Sequence, residues 1–124
     1  MEEQNTECYQ KSLNDALDLF NNQKWYEAHD AFEDIWNGLD GDERQVIQGI
    51  LQVSVSQFHL GRGNINGAMI LLGEGLGRIK TRQRIKIGID LKSLCKTLEI
   101  LLNKLHESKP ITKNDIPHIK KTKI

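Results

Sequence analysis

Apolar residues recur every three or four positions through almost the whole chain, and four-residue alternation of apolar with polar side chains is nearly absent. The first pattern belongs to amphipathic helices and the second to half-buried strands, so the chain is confined to helical folds. A first helix is expected over about 6–21, with Leu13, Leu17 and Phe20 as its apolar stripe. A second starts near Lys24 and ends before Gly38, carrying Trp25, Ala28, Phe32, Ile35 and Trp36. A third runs over about 42–60 with Asp42 as its N-cap, and a fourth over about 64–80. Asp90 caps a fifth that continues to about His106 and is lined by leucines. Gly67, Gly73, Gly75 and Gly77 loosen the fourth helix, since an interior glycine costs roughly 1 kcal/mol against alanine. Their presence predicts that a neighbouring helix packs closely there.

A weak repeat at an offset of about 40 residues joins the two halves of this pattern. Phe20 aligns with Leu60, Ala28 with Ala68, Phe32 with Leu72 and Trp36 with Leu76. The expected architecture is all-α: a compact bundle of about five helices, with two antiparallel helical hairpins (tetratricopeptide-like) plus a C-terminal helix. Residues 1–109 read as a single helical domain and 110–124 as a basic, irregular C-terminal tail whose Ile111, Ile116 and Ile119 either dock or fray. The 124 residues suit one domain. No apolar run is long enough to span a bilayer, which predicts no membrane segment. The acidic opening MEEQNTE has no apolar stretch of the kind a secretory leader needs. Cys8 and Cys95 stand far apart and read as free thiols, so the expected location is cytoplasmic.

Charge is unevenly laid out. Residues 1–43 hold 12 acids and 2 bases, whereas 44–124 hold 5 acids and 15 bases, so the formal net charge is zero with opposite halves. The ordinary consequence is that the halves pack side by side and relieve each other's repulsion. The sharper alternative is an anion-binding cluster at Arg78, Lys80, Arg82, Arg84 and Lys86. No aromatic residue interleaves with it, which disfavours nucleic acid as the partner.

One region stands out as a candidate site. At about 100° per residue, His29 lies about 20° from Trp36 around the second helix, and Glu33 about 40° further round. An imidazole and a carboxylate thus border an aromatic face, while Glu27 points the other way. On the third helix Arg44, Gln48, Gln52, Ser56 and His59 form a polar stripe on an otherwise apolar cylinder. Such a stripe must meet water, another polar face or a ligand. Three arrangements follow. In the first, the groups satisfy one another, with Glu33 and Arg44 forming a buried pair across the turn. In the second, Glu27, His29, Glu33, Trp36, Arg44, Gln48, Gln52 and His59 line a pocket for a small molecule or a protein partner. In the third, His29, Glu33 and His59 hold a divalent metal, no other cofactor being expected. The corresponding functions are a binding or scaffold module, with a metal- or His/Glu-assisted hydrolase of a small molecule as the enzymatic alternative. His106 and His118 read as surface residues, and a homodimer is compatible with so small a bundle.

Tyr26-Glu27-Ala28-His29-Asp30 through Glu33 and Trp36, then Arg44, Ile47-Gln48-Gly49, His59, Gly63-Asn64 and Gly67-Ala68, resemble the small helical family called Domain of Unknown Function 309. The resemblance covers about residues 10–105. The family more often has Glu where this chain has Asp30, and the basic run 78–86 is richer than the family pattern. The resemblance implies a compact all-α fold found in bacteria, archaea and plastid-bearing lineages, with the plastid stroma as the location in the last. It implies no activity.

Overall fold

The computed structural model describes residues 2–122, with side chains from 7 to 122. The side chains of the acidic opening and the last two tail residues lie outside the described residues. Five helices form: α1 (Glu2–Asn21), α2 (Trp25–Asn37), α3 (Gly41–Gly61), α4 (Ile65–Lys80) and α5 (Leu91–His106). Among the described residues there is no strand, only an isolated antiparallel bridge between Ile89 and Lys121. No described helix is long and apolar enough to cross a membrane.

Each helix packs on the next in sequence, and α3 lies centrally between α2 and α4. Its Val46, Ile47, Ile50 and Val53 are fully buried, as the near-complete apolar circumference requires. Phe20, Phe32, Leu72, Ile79, Leu98 and Leu101 fill the core around it.

The 40-residue repeat is written into the two hairpin turns. Gln23 N–H donates to Phe20 O and Lys24 N–H to Leu19 O; Gly63 and Asn64 repeat the pattern with Leu60 and His59, all at 2.9–3.1 Å. Gln23 and Gly63 both take positive φ, at 62° and 80°. Lys24 and Asn64 cap the next helices with nearly equal backbone angles. Asn64 adds a side-chain cap to Gly67 N–H at 3.0 Å, which Lys24 cannot supply. Ala28 and Ala68 follow, both fully buried.

The close approach expected of α4 occurs at Gly75, against Gly49 of α3. A Cβ on Gly49 would stand 2.8 Å from the Gly75 carbonyl oxygen, and one on Gly75 would stand 2.7 Å from that of Gly49. Gly77 meets nothing, so only part of the glycine run serves packing. One capping expectation is corrected. Asp40, not Asp42, precedes α3, with extended backbone; Asp42 sits in the first turn and holds Arg82 at 3.0 Å.

The segment after α5 docks. A 3-10 turn at Lys113–Asp115 lies against α5, where Lys104 Nζ donates to both Asp115 carboxylate oxygens at 2.8 and 2.9 Å. Ile119 is buried, while Ile111 stays exposed. The Asn21 side chain clamps the Ile119 backbone, donating to its carbonyl at 3.0 Å and accepting from its N–H at 2.8 Å. Asp90 N–H to Lys120 O and Thr122 N–H to Gly88 O complete the closure.

Candidate functional site

Helices α2 and α3 do not close on each other fully. Two hollows lie along their seam and share His29 and Val55. One, of about 260 Å³, is lined by Trp25, Tyr26, His29, Asp30, Ser54, Val55, Phe58 and His59. The other, of about 290 Å³, is more open and is lined by residues including Glu33, Trp36, Gln48, Gln52 and Leu71.

The first hollow has built walls. Phe20 packs edge-on against Trp25 at 4.9 Å between ring centroids, which anchors the indole from the core side. Tyr26 and Phe58 face each other across the helix seam at 6.2 Å. Arg62, from the α3–α4 turn, lies over the Phe58 ring at 5.3 Å. At the floor stands Ser54, with no exposed surface and no hydrogen-bond partner for its hydroxyl among the described residues. A helical serine ordinarily turns back onto the preceding turn. Ser56 does so, donating to Val53 O at 2.6 Å. Ser54 is left with its hydroxyl buried against the hollow.

His29 sits at the junction of the two hollows, half-buried. Its Nδ1 is 3.4 Å from Asp30 Oδ1 and its Nε2 is 4.0 Å from Glu33 Oε2. His59 contacts Asn64 at 3.4 Å, which ties its imidazole to the α4 cap.

The residues singled out from sequence are therefore divided. His29, Glu33, Trp36, Gln48 and Gln52 line the second hollow, and His29 and His59 the first. Glu27 lines neither and is exposed. The pairing of Glu33 with Arg44 does not form. Glu33 is exposed, and Arg44 lies flat on Trp36 with its Cζ 3.7 Å from the ring centroid. The turn between α2 and α3 is tight enough to bring Arg44 level with Trp36, one helical turn past Glu33. A guanidinium over an indole face gains about 0.5–2 kcal/mol without a carboxylate. The Arg44 Nε is buried there without a partner among the described residues. The three-ligand metal arrangement is not assembled either. Among the described residues no three His, Cys, Asp or Glu side chains gather closely enough to hold an ion. Glu33 lies along the second hollow while His59 lines the first. Ser56 leaves the polar stripe altogether, being buried.

The basic run is largely consumed inside the molecule. Arg78 donates to Gln52 at 3.0 Å and also to Gln45, joining α4 to α3. Lys80 pairs with Glu99 and Arg82 with Asp42, both at 3.0 Å. Arg84 and Lys86 remain exposed.

Sequence reasoning missed Trp25, Tyr26, Ser54 and Phe58 as site residues. Phe58 and Ser54 lie four apart on α3, so a helical-face test extended beyond the charged and amide residues would have linked them.

Residues 13–71 match the family described as a domain of unknown function, DUF309. Over that stretch, just under half of its length, the chain is similar to DUF309. The matched stretch spans every residue lining the first hollow and ends within α4. It is shorter than the 10–105 that the motif resemblance suggested: α5, the docked tail and the run 78–86 lie outside it. No curated protein matches the chain.

Proposed function

We propose that the DUF309-like region of this chain is a binding module that takes a small, mostly apolar molecule into the hollow between α2 and α3. One observation carries this reading: the Ser54 hydroxyl, fully buried and unpartnered, on the floor of an aromatic-walled cavity. A buried hydroxyl left without a hydrogen bond costs about 1–3 kcal/mol, and small-molecule sites are apolar hollows with a few placed polar groups. The hollow is built within one chain, so binding needs no second copy. The free thiols Cys8 and Cys95 go with a cytoplasmic setting.

The hydrolase alternative retains one feature, the His29 imidazole between Asp30 and Glu33. Acyl transfer further requires a nucleophile hydrogen-bonded to its base, and Ser54 makes no such bond. Binding through the basic run retains, among the described residues, Arg84 and Lys86 as exposed charges without a described partner.

Titration with p-cresol, a neutral phenol, tests the binding reading. The indole N–H resonance of Trp25 and the ring resonances of His59 should shift saturably, with the Trp36 indole unmoved. No saturable shift at millimolar p-cresol, or equal shifts at both indoles, would remove the reading.

A further inference from the structure

Resting on the cavity reading above, we infer that the preferred ligand class is a small arylalkylamine: an aromatic ring with a hydrogen-bonding substituent at one end and an ammonium group at the other. Size, depth and charge each contribute.

The size follows from volume. A dry apolar cavity of about 150 Å³ accommodates benzene, and this hollow measures about 260 Å³. In proportion it holds on the order of ten non-hydrogen atoms. That is one ring with a short chain, and it excludes nucleotides and peptides as full occupants.

The orientation follows from depth. Ser54 has no exposed surface, whereas the Asp30 side chain is 66% exposed and Tyr26 is 64% exposed. The hydroxyl therefore marks the floor and Asp30 the mouth. A ring entering between Trp25, Tyr26 and Phe58 would meet the serine with its far substituent.

The charge follows from the lining. Asp30 is the one carboxylate among the eight lining residues, and neither Lys nor Arg is among them. Arg62 stands over the Phe58 ring and is outside the lining. His29 and His59 are the remaining titratable side chains besides Tyr26. Elsewhere on α2, Glu27, Glu33 and Asp34 are exposed as well, so the helix carries further negative charge. An ammonium group at this mouth gains from Asp30 and from the faces of the surrounding rings; a carboxylate there meets repulsion.

Four probes separate these elements: tyramine, phenethylamine, p-cresol and 3-(4-hydroxyphenyl)propionate, each titrated by calorimetry and by the Trp25 indole resonance. Tyramine should bind about tenfold or more tighter than the propionate, which has the opposite charge on the same ring. It should also exceed phenethylamine, which lacks the phenolic hydroxyl. Asp30→Asn should collapse the tyramine-to-propionate ratio, and Ser54→Ala should erase the tyramine-to-phenethylamine difference while leaving the charge preference. If p-cresol binds but the propionate binds as well as tyramine, the amine assignment is overturned and the cavity reading stands. The same holds if Asp30→Asn leaves the ratio unchanged. If none of the four binds, both are overturned.

Discussion

Replacing Ser54 with alanine should make the unliganded protein more stable, the opposite of what most core substitutions do. The wild-type hydroxyl is fully buried and unpartnered, so its removal relieves about 1–3 kcal/mol of uncompensated desolvation. Alanine adds up to about 0.5 kcal/mol in helix propensity at this mid-helix position. The lost atom borders a hollow and has few packing partners on that side, so the cavity term is small. The net gain is about 1–3 kcal/mol. With urea slopes of about 1–3 kcal/mol/M for small proteins, the unfolding midpoint should rise by about 1 M at unchanged slope. Saturating tyramine should narrow the difference, because a ligand stabilises by RT ln(1 + [L]/Kd) and the alanine variant binds more weakly. A midpoint that falls in Ser54→Ala would refute the reasoning, since the hydroxyl must then be satisfied by solvent in the hollow.

The glycine contact offers a paired test. Gly49→Ala and Gly75→Ala should each lose about 1–3 kcal/mol by forcing α3 and α4 apart, while Gly77→Ala, which meets nothing, should gain up to about 1 kcal/mol; thermal melts distinguish them. The thiols should react unequally. Burial, with Glu99 adding to it, pushes the Cys95 thiol up to about 11, so dithiodipyridine should label exposed Cys8 at once and Cys95 only on unfolding. The tail should be acid-sensitive. The Lys104 ammonium, then the Thr112 N–H, hold the Asp115 carboxyl below its ordinary value of 3.8. A depressed folded value means the contribution is full above 3.8 and is lost as the pH falls through the folded value. Hydrogen exchange in 112–122 should accelerate in that acid range, and Asp115→Asn should show the faster exchange already at neutral pH.

Helix number, order and nearly all boundaries were legible because each depends on residues close in sequence. The leucine periodicity of α5 and its Asp90 cap act within a few residues, and the structure keeps them. The repeat was equally legible, down to Ala28 and Ala68, because a hairpin turn is a local object. The cavity was legible only by half. His29, Gln48 and His59 attract notice because polar residues on apolar helices are conspicuous. Trp25, Tyr26 and Phe58 look like ordinary core, and only the seam between α2 and α3 shows that they face an opening.

Sequence by itself determined that this chain is a set of five amphipathic helices in paired hairpins, since periodicity, caps and turn residues act over one or two helical turns. Tertiary structure alone decided which charges meet. Glu33 and Arg44 are near enough on paper to pair, yet a shift of one turn, about 5.4 Å, gives Arg44 the Trp36 face and leaves Glu33 in solvent. The same limit applies to Ser54 and Ser56, two residues apart on one helix. One bonds to its own backbone and the other waits in a hollow, because helix phase relative to a neighbour is set by how two packed surfaces interlock.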